Sequence, residues 1–170
     1  MKIVAIGDIH GRDCWKKIVE QEKNADLFVF MGDYFDTFDD IDYTLQIYNF
    51  EEIIRFKNKF KKVVMLIGNH DYHYFPEIGY NGTSGYQAGP AALNIGFCLN
   101  KHRKHLRMAY MKDGILFTHA GVTPTFLEIF EYKGTKIDRF LNNLWKYKPH
   151  AFEFNGTDPY GDNVCQTPIW

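Results

Sequence analysis

Ile3-Val4-Ala5-Ile6-Gly7-Asp8-Ile9-His10-Gly11 is the stretch on which the fold turns. A short apolar run long enough for a buried strand ends at a glycine, and the chain then presents a carboxylate and an imidazole. The same pattern recurs twice. Residues 27–31 run apolar into Gly32-Asp33-Tyr34-Phe35-Asp36, and residues 63–67 into Gly68-Asn69-His70-Asp71. Helical signals fill the gaps, over residues 13–22 and over residues 40–60, where Ile41, Leu45, Tyr48, Ile53 and Phe56 fall at roughly helical spacing. Strands too apolar to alternate, separated by helices, predict a parallel sheet covered on its faces. Ligands of such sheets sit beyond the carboxyl ends of the strands. All three polar strings occupy that position.

Further along, residues 71–89 are rich in Tyr, Gly and Asn and read as a long loop. A helix is expected from Pro90, a good first-turn residue. Residues 106–111 and 115–118 read as hairpin strands around Lys112-Asp113-Gly114. Thr123-Pro124 opens another helix. Thr135 is the expected cap of the next, whose stripe Ile137, Phe140, Leu141, Leu144 and Trp145 is core-facing. From Pro149 the pattern dissolves into a Gly/Asn/Asp/Pro tail.

The bulk properties fit one globular domain over residues 1–170, with 45% hydrophobic and 17% aromatic residues. A net charge of −1 gives no sign of a nucleic-acid or acidic-membrane binder. Cys14, Cys98 and Cys165 are odd in number and lack metal-ligand spacing, which favours a reducing compartment and a cytoplasmic location. No membrane association is expected, because the N-terminal apolar run is too short for a signal peptide or span. Asn81 and Asn155 match the glycosylation pattern but are discounted on the same ground.

The strand-end residues carry the chemistry. Asp8 and His10 are separated by one residue, so an extended backbone points both to one side, where they can share a metal. Asp33 would bridge that metal to a second, held also by Asn69 and by His119, which follows the later apolar run. Oxygen and imidazole ligands without thiolate suit manganese first, with iron, zinc or nickel as alternatives, better than calcium. Two such ions lower the pKa of a bridging water and clamp phosphoryl oxygens, so the hydroxide can attack phosphorus. His70 is placed as the general acid for the departing alkoxide, with Asp36 holding its other ring nitrogen. Arg12 is a candidate phosphate contact. Residues 101–107 read as the solvated basic end of a helix, His73 as a surface histidine, and the tyrosines of residues 72–86 as loop packing.

These strings resemble the calcineurin-like metallophosphoesterase superfamily, whose signature has the form G-D-x-H-G, G-D-x-x-D, G-N-H-[DE] and a later H-[GA]-G, here Thr118-His119-Ala120-Gly121. The resemblance runs from about Met1 to Pro124, and its wording is nearest the serine/threonine phosphoprotein phosphatase branch. It implies an α/β fold, a β-sandwich of two sheets flanked by helices. It also implies Asp8, His10 and Asp33 on one metal, Asp33, Asn69 and His119 on the other, and His70 with Asp36 as acid and orienting carboxylate. Phosphatases of that branch carry Arg where this chain has Thr37 and Ile67, so a broader bacterial-type phosphoesterase is expected.

The family pattern also has a further metal-binding His downstream, whereas the only later histidine here is His150. The second sheet is therefore expected to be incomplete, with the C-terminal part of the family fold missing. The function expected is phosphatase-type hydrolysis of a phosphoprotein, nucleotide or small phosphoester at a dinuclear centre. The alternative is a catalytically weak or inactive remnant acting as a binding or regulatory module. A homodimer would cover apolar surface left by a short second sheet.

Overall fold

The computed structural model describes residues 1–79, 85–134, 136–154 and 166–170. Four short parallel strands form the first sheet in the order β1 (Ile3–Ile6), β2 (Leu27–Phe30), β3 (Val63–Leu66) and β4 (Leu106–Arg107). Register pairs Ile6 with Phe30, Phe30 with Met65, and Met65 with Leu106. The helices between them are α1 (Trp15–Gln21), α2 (Tyr43–Lys59), the single turn α3 (Asn69–Tyr72) and α4 (Pro90–His102). β5 (Tyr110–Lys112) and β6 (Ile115–Phe117) form an antiparallel hairpin, and α5 (Pro124–Ile129) and α6 (Ile137–Tyr147) follow.

Strand side chains point alternately to opposite faces, and each face has its own cover. Ile6, Phe28, Phe30, Val63 and Met65 pack in one cluster with Trp15 of α1, Phe50, Ile53 and Ile54 of α2, and Ile95 and Leu99 of α4. Leu27, Val29, Val64 and Leu66 point the other way, where Tyr110 and Phe117 of the hairpin pack on them. The result is the expected α/β arrangement of two facing sheets, the second having two strands among the described residues.

Local chemistry sets most of the boundaries. Asp42 caps α2 by accepting the Thr44 N–H at 2.8 Å. Thr123 caps α5 by accepting the Phe126 N–H at 3.2 Å, with Pro124 in the first turn. Asp113 and Gly114 both take positive φ, 49° and 81°, as a two-residue hairpin turn requires. The Thr135 cap lies outside the described residues.

Two expectations are corrected. The run 106–111 is not one hairpin strand: it splits between β4 of the first sheet and β5 of the second. Asn142 of α6 holds the crossing, accepting the Met108 N–H at 2.9 Å and donating to the Ala109 carbonyl at 2.8 Å. The loop expected over residues 71–89 begins instead as helical turn α3, because the Asp71 side chain reaches back to the Gly68 N–H at 2.9 Å. Pro168 accepts the Ala120 N–H at 2.9 Å, and Ile169 is buried, so the chain's last residues dock beside the His119 segment.

Candidate active site

Three strand ends are tied into one platform by backbone hydrogen bonds. His10 N–H donates to the Asp33 carbonyl at 2.7 Å and Gly11 N–H to the Tyr34 carbonyl at 2.9 Å, which joins the β1 and β2 loops. The β2 and β3 loops are clamped by Asp71, a fully buried carboxylate that accepts from Gly68, Asp33 and Tyr34 N–H groups at 2.7–2.9 Å. Burial and the neighbouring Asp33 carboxylate push its pKa up, against the pull of these donors. The loops touch at two glycines. A Cβ on Gly32, which sits at φ 112°, would lie 2.4 Å from the Gly68 nitrogen, and one on Gly68 would lie 2.1 Å from Asp33 Oδ1. His10, Asp33 and Asp36 all take positive φ (43°, 52° and 61°), a backbone cost that side chains with a defined task often carry.

Asp33, 4% exposed, is the centre of one cluster. Its Oδ2 lies 3.4 Å from His119 Nε2 and 3.8 Å from His10 Nε2. The Asn69 carboxamide oxygen is 3.0 Å from His119 Nε2, and the exposed Asp8 completes a set with Asp33 and His119 whose ligand atoms lie within 4.8 Å of one another. All five expected ligands thus converge. His10 Nδ1 meets the Phe35 carbonyl at 2.9 Å and His119 Nδ1 the Met31 carbonyl at 2.8 Å. A carbonyl can only accept, so each Nδ1 carries a proton and each Nε2 is the ring nitrogen left facing Asp33. With those nitrogens deprotonated, lone pairs of imidazole, carboxylate and amide facing one another repel unless a positive charge sits between them. The donor set, hard oxygens with imidazoles whose far nitrogens are pinned, suits a divalent ion.

His70 and Asp36 form the second cluster. His70 Nδ1 is 3.1 Å from Asp36 Oδ2, and its backbone N–H donates to Asp33 Oδ1 at 3.0 Å, which connects the clusters. Burial pulls the His70 pKa down, but the Asp36 hydrogen bond and the charges of Asp33, Asp36 and Asp71 outweigh it and hold it above the usual value. Burial likewise pushes Asp36 up, yet its bonds from His70, His73 and Tyr74 prevail and lower it.

His73 is corrected: it is fully buried, not a surface residue, with Nε2 at 2.6 Å from Asp36 Oδ2. Its three-residue spacing from His70 was the available signal, hidden because the segment read as loop. A packing role does hold for Tyr72, here in α3, and for Tyr74, both buried, and for Tyr86, stacked on Tyr74 at 5.0 Å. Arg12 is paired with Asp39 at 2.6 Å. In the basic run, Lys101 pairs with Glu51 at 2.9 Å, and Arg103 lies over the Phe75 and Trp145 rings beside Glu77. His150 is exposed, with Nδ1 at 2.6 Å from Glu153. A third group, Glu51, Cys98 and His102, has its carboxylate taken by Lys101, and burial pushes the Cys98 thiol up to about 12. Tyr80, Asn81, Asn155 and Cys165 lie outside the described residues.

A family model described as calcineurin-like phosphoesterase matches residues 1–163. With three glycine-ended strands delivering the motif residues to one sheet edge, the chain belongs to the calcineurin-like phosphoesterase family. Neither the curated proteins nor the solved structures searched give a match. Among the described residues, no helix is long and apolar enough to cross a membrane.

Proposed function

We propose that this chain hydrolyses a phosphoester as a phosphatase-type enzyme with two divalent ions. Asp8, His10 and Asp33 would hold one ion, and Asp33, Asn69 and His119 the other, manganese being the first choice. Bound there, such ions supply a water of lowered pKa and a clamp on the phosphoryl oxygens. The observation that carries this reading is the paired orientation of two rings: both His10 and His119 spend Nδ1–H on backbone carbonyls and turn Nε2 toward Asp33.

The chain's own groups divide the remaining work. His70, whose pKa is raised against the pull of burial by its Asp36 hydrogen bond and the carboxylates around it, gives its Nε2 proton to the leaving oxygen as the P–O bond breaks. The ring is then neutral, with Nδ1–H still donated to Asp36. Its backbone bond to Asp33 keeps the acid in step with the ligand platform.

The test is hydrolysis of p-nitrophenyl phosphate and bis(p-nitrophenyl) phosphate by metal-stripped protein, with and without Mn²⁺, beside Asp33→Asn. Activity is expected only with metal and only with Asp33. Folded protein that stays inactive on both esters with Mn²⁺ overturns the proposal and leaves the remnant. That second reading has one observation in its favour: His150, the last histidine, is exposed and engaged with Glu153.

A further inference from the structure

The surroundings of Asp36 are richer than a single orienting contact requires. Its carboxylate is fully buried. Oδ2 meets His70 Nδ1 at 3.1 Å and His73 Nε2 at 2.6 Å. Oδ1 accepts the Tyr74 hydroxyl and Gln87 Nε2, the latter at 3.3 Å. A carboxylate offers about four lone-pair positions, and here all four are used. The function proposed above needs only the contact to His70.

His73 stands out among the other three, for it is a buried imidazole on the oxygen that serves His70. The placement follows from α3. Residues three apart on a helical turn share a face, so His70 and His73 reach Asp36 together, their rings 6.0 Å apart and nearly perpendicular at 83°. His73 is fixed in turn by edge-on packing against Tyr74 at 4.5 Å and Tyr86 at 5.0 Å. Gln87 N–H donates to the Tyr74 hydroxyl at 2.8 Å, which closes the ring of contacts.

The torsion that orients a carboxylate is broad and two-fold. With one donor, the group can swing or exchange oxygens, and the imidazole it holds swings with it. Donors on Oδ1 together with a second donor on Oδ2 leave one direction open, the one His70 occupies.

We propose that His73 is a positioning residue for His70: by donating Nε2–H to Asp36 Oδ2, it locks the carboxylate so that His70 is held as the Nδ1–H tautomer with Nε2 directed outward. The catalytic consequence rests on the reading of His70 as general acid; the orienting role itself does not.

The experiment compares wild type with His73→Leu, His73→Gln and Tyr74→Phe in the full chain, each checked for folding by circular dichroism. In metal-free protein, long-range ¹H–¹⁵N spectra of the neutral imidazoles should show single tautomers, Nδ1–H for His70 and Nε2–H for His73. His73→Leu should turn His70 into a tautomer mixture, and His73→Gln, which keeps an N–H donor, should restore the single form. In Mn²⁺-loaded protein, proton donation matters most for a poor leaving group. His73→Leu should therefore cut kcat on phenyl phosphate about 10–100-fold and on p-nitrophenyl phosphate less than about threefold, with KM unchanged.

An unchanged His70 tautomer in His73→Leu overturns the proposal, as does a Gln variant that behaves like the Leu variant. Should His73→Leu fail to fold, Tyr74→Phe, which removes one Oδ1 donor and keeps the ring, should give a partial tautomer mixture; a fully single tautomer there overturns the locking. Wild type inactive on both esters would remove the phosphoesterase reading, and the tautomer spectra alone would then decide the orienting role.

Discussion

Asp71 is neither a proposed ligand nor the proposed acid, yet it holds the loops that carry them. Its two oxygens accept the backbone N–H groups of Gly68, Asp33 and Tyr34, so one buried side chain fixes the start of α3 against the loop carrying Asp33. Asp71→Asn replaces an acceptor by a donor and sets N–H against N–H. Leaving a buried backbone donor unmade costs about 1–3 kcal/mol, and urea unfolding of the metal-free protein should show a loss of that size. A change below about 0.5 kcal/mol, the range of an ordinary surface substitution, would mean that Asp71 does not clamp the loops. The sequence made Asp8, His10, Asp33, Asp36, Asn69 and His70 legible because each sits at a fixed offset from a strand-ending glycine, and His119 because it follows an apolar run in the string Thr118-His119-Ala120-Gly121. It hid Asp71 and His73, whose tasks are set by backbone atoms and a carboxylate more than thirty residues away.

At the scale of elements, β2 and β3 were readable because burial on both faces leaves no polar residue to confuse the pattern, and β1, an edge strand with Ala5 exposed, because its four residues are apolar all the same. The fourth strand was not. Leu106 continues straight through Met108 and Ala109 to Tyr110 with no turn residue between, so nothing in the residues marks the change of sheet. What makes the change possible is remote: Asn142 of α6 satisfies the Met108 N–H and the Ala109 carbonyl where neither sheet can. Met108 and Ala109 are both fully buried, so water does not replace those bonds. Asn142→Leu strands one donor and one acceptor at about 1–3 kcal/mol each. Thermal and urea unfolding should therefore place this variant among the most destabilised single substitutions of α6. Stability close to wild type would show that the crossing is held by packing alone.

Across the whole molecule, the site is a property of the folded sheet rather than of any segment. Its proposed ligands come from the ends of β1, β2 and β3 and from the segment after β6, residues spread from Asp8 to His119 and brought together only when the sheet is assembled. Docking of the last residues against Ala120 adds a further distant contact, with no motif in the sequence to announce it. An ion that binds this constellation binds the native state and leaves the unfolded chain nearly untouched, so it must stabilise the fold by mass action. At a hundred times its dissociation constant one ion adds about 2.7 kcal/mol, and a chain of this size moves about 2–4 °C per kcal/mol, so saturating Mn²⁺ should raise the unfolding midpoint by about 5–10 °C. A chelator should return the midpoint to its starting value, and Asp33→Asn should remove most of the rise, because Asp33 is the residue shared between both expected ions. A midpoint indifferent to Mn²⁺ and to chelator would mean that the converging lone pairs around Asp33 are neutralised by a proton and not by a metal, and the dinuclear proposal would fall with it.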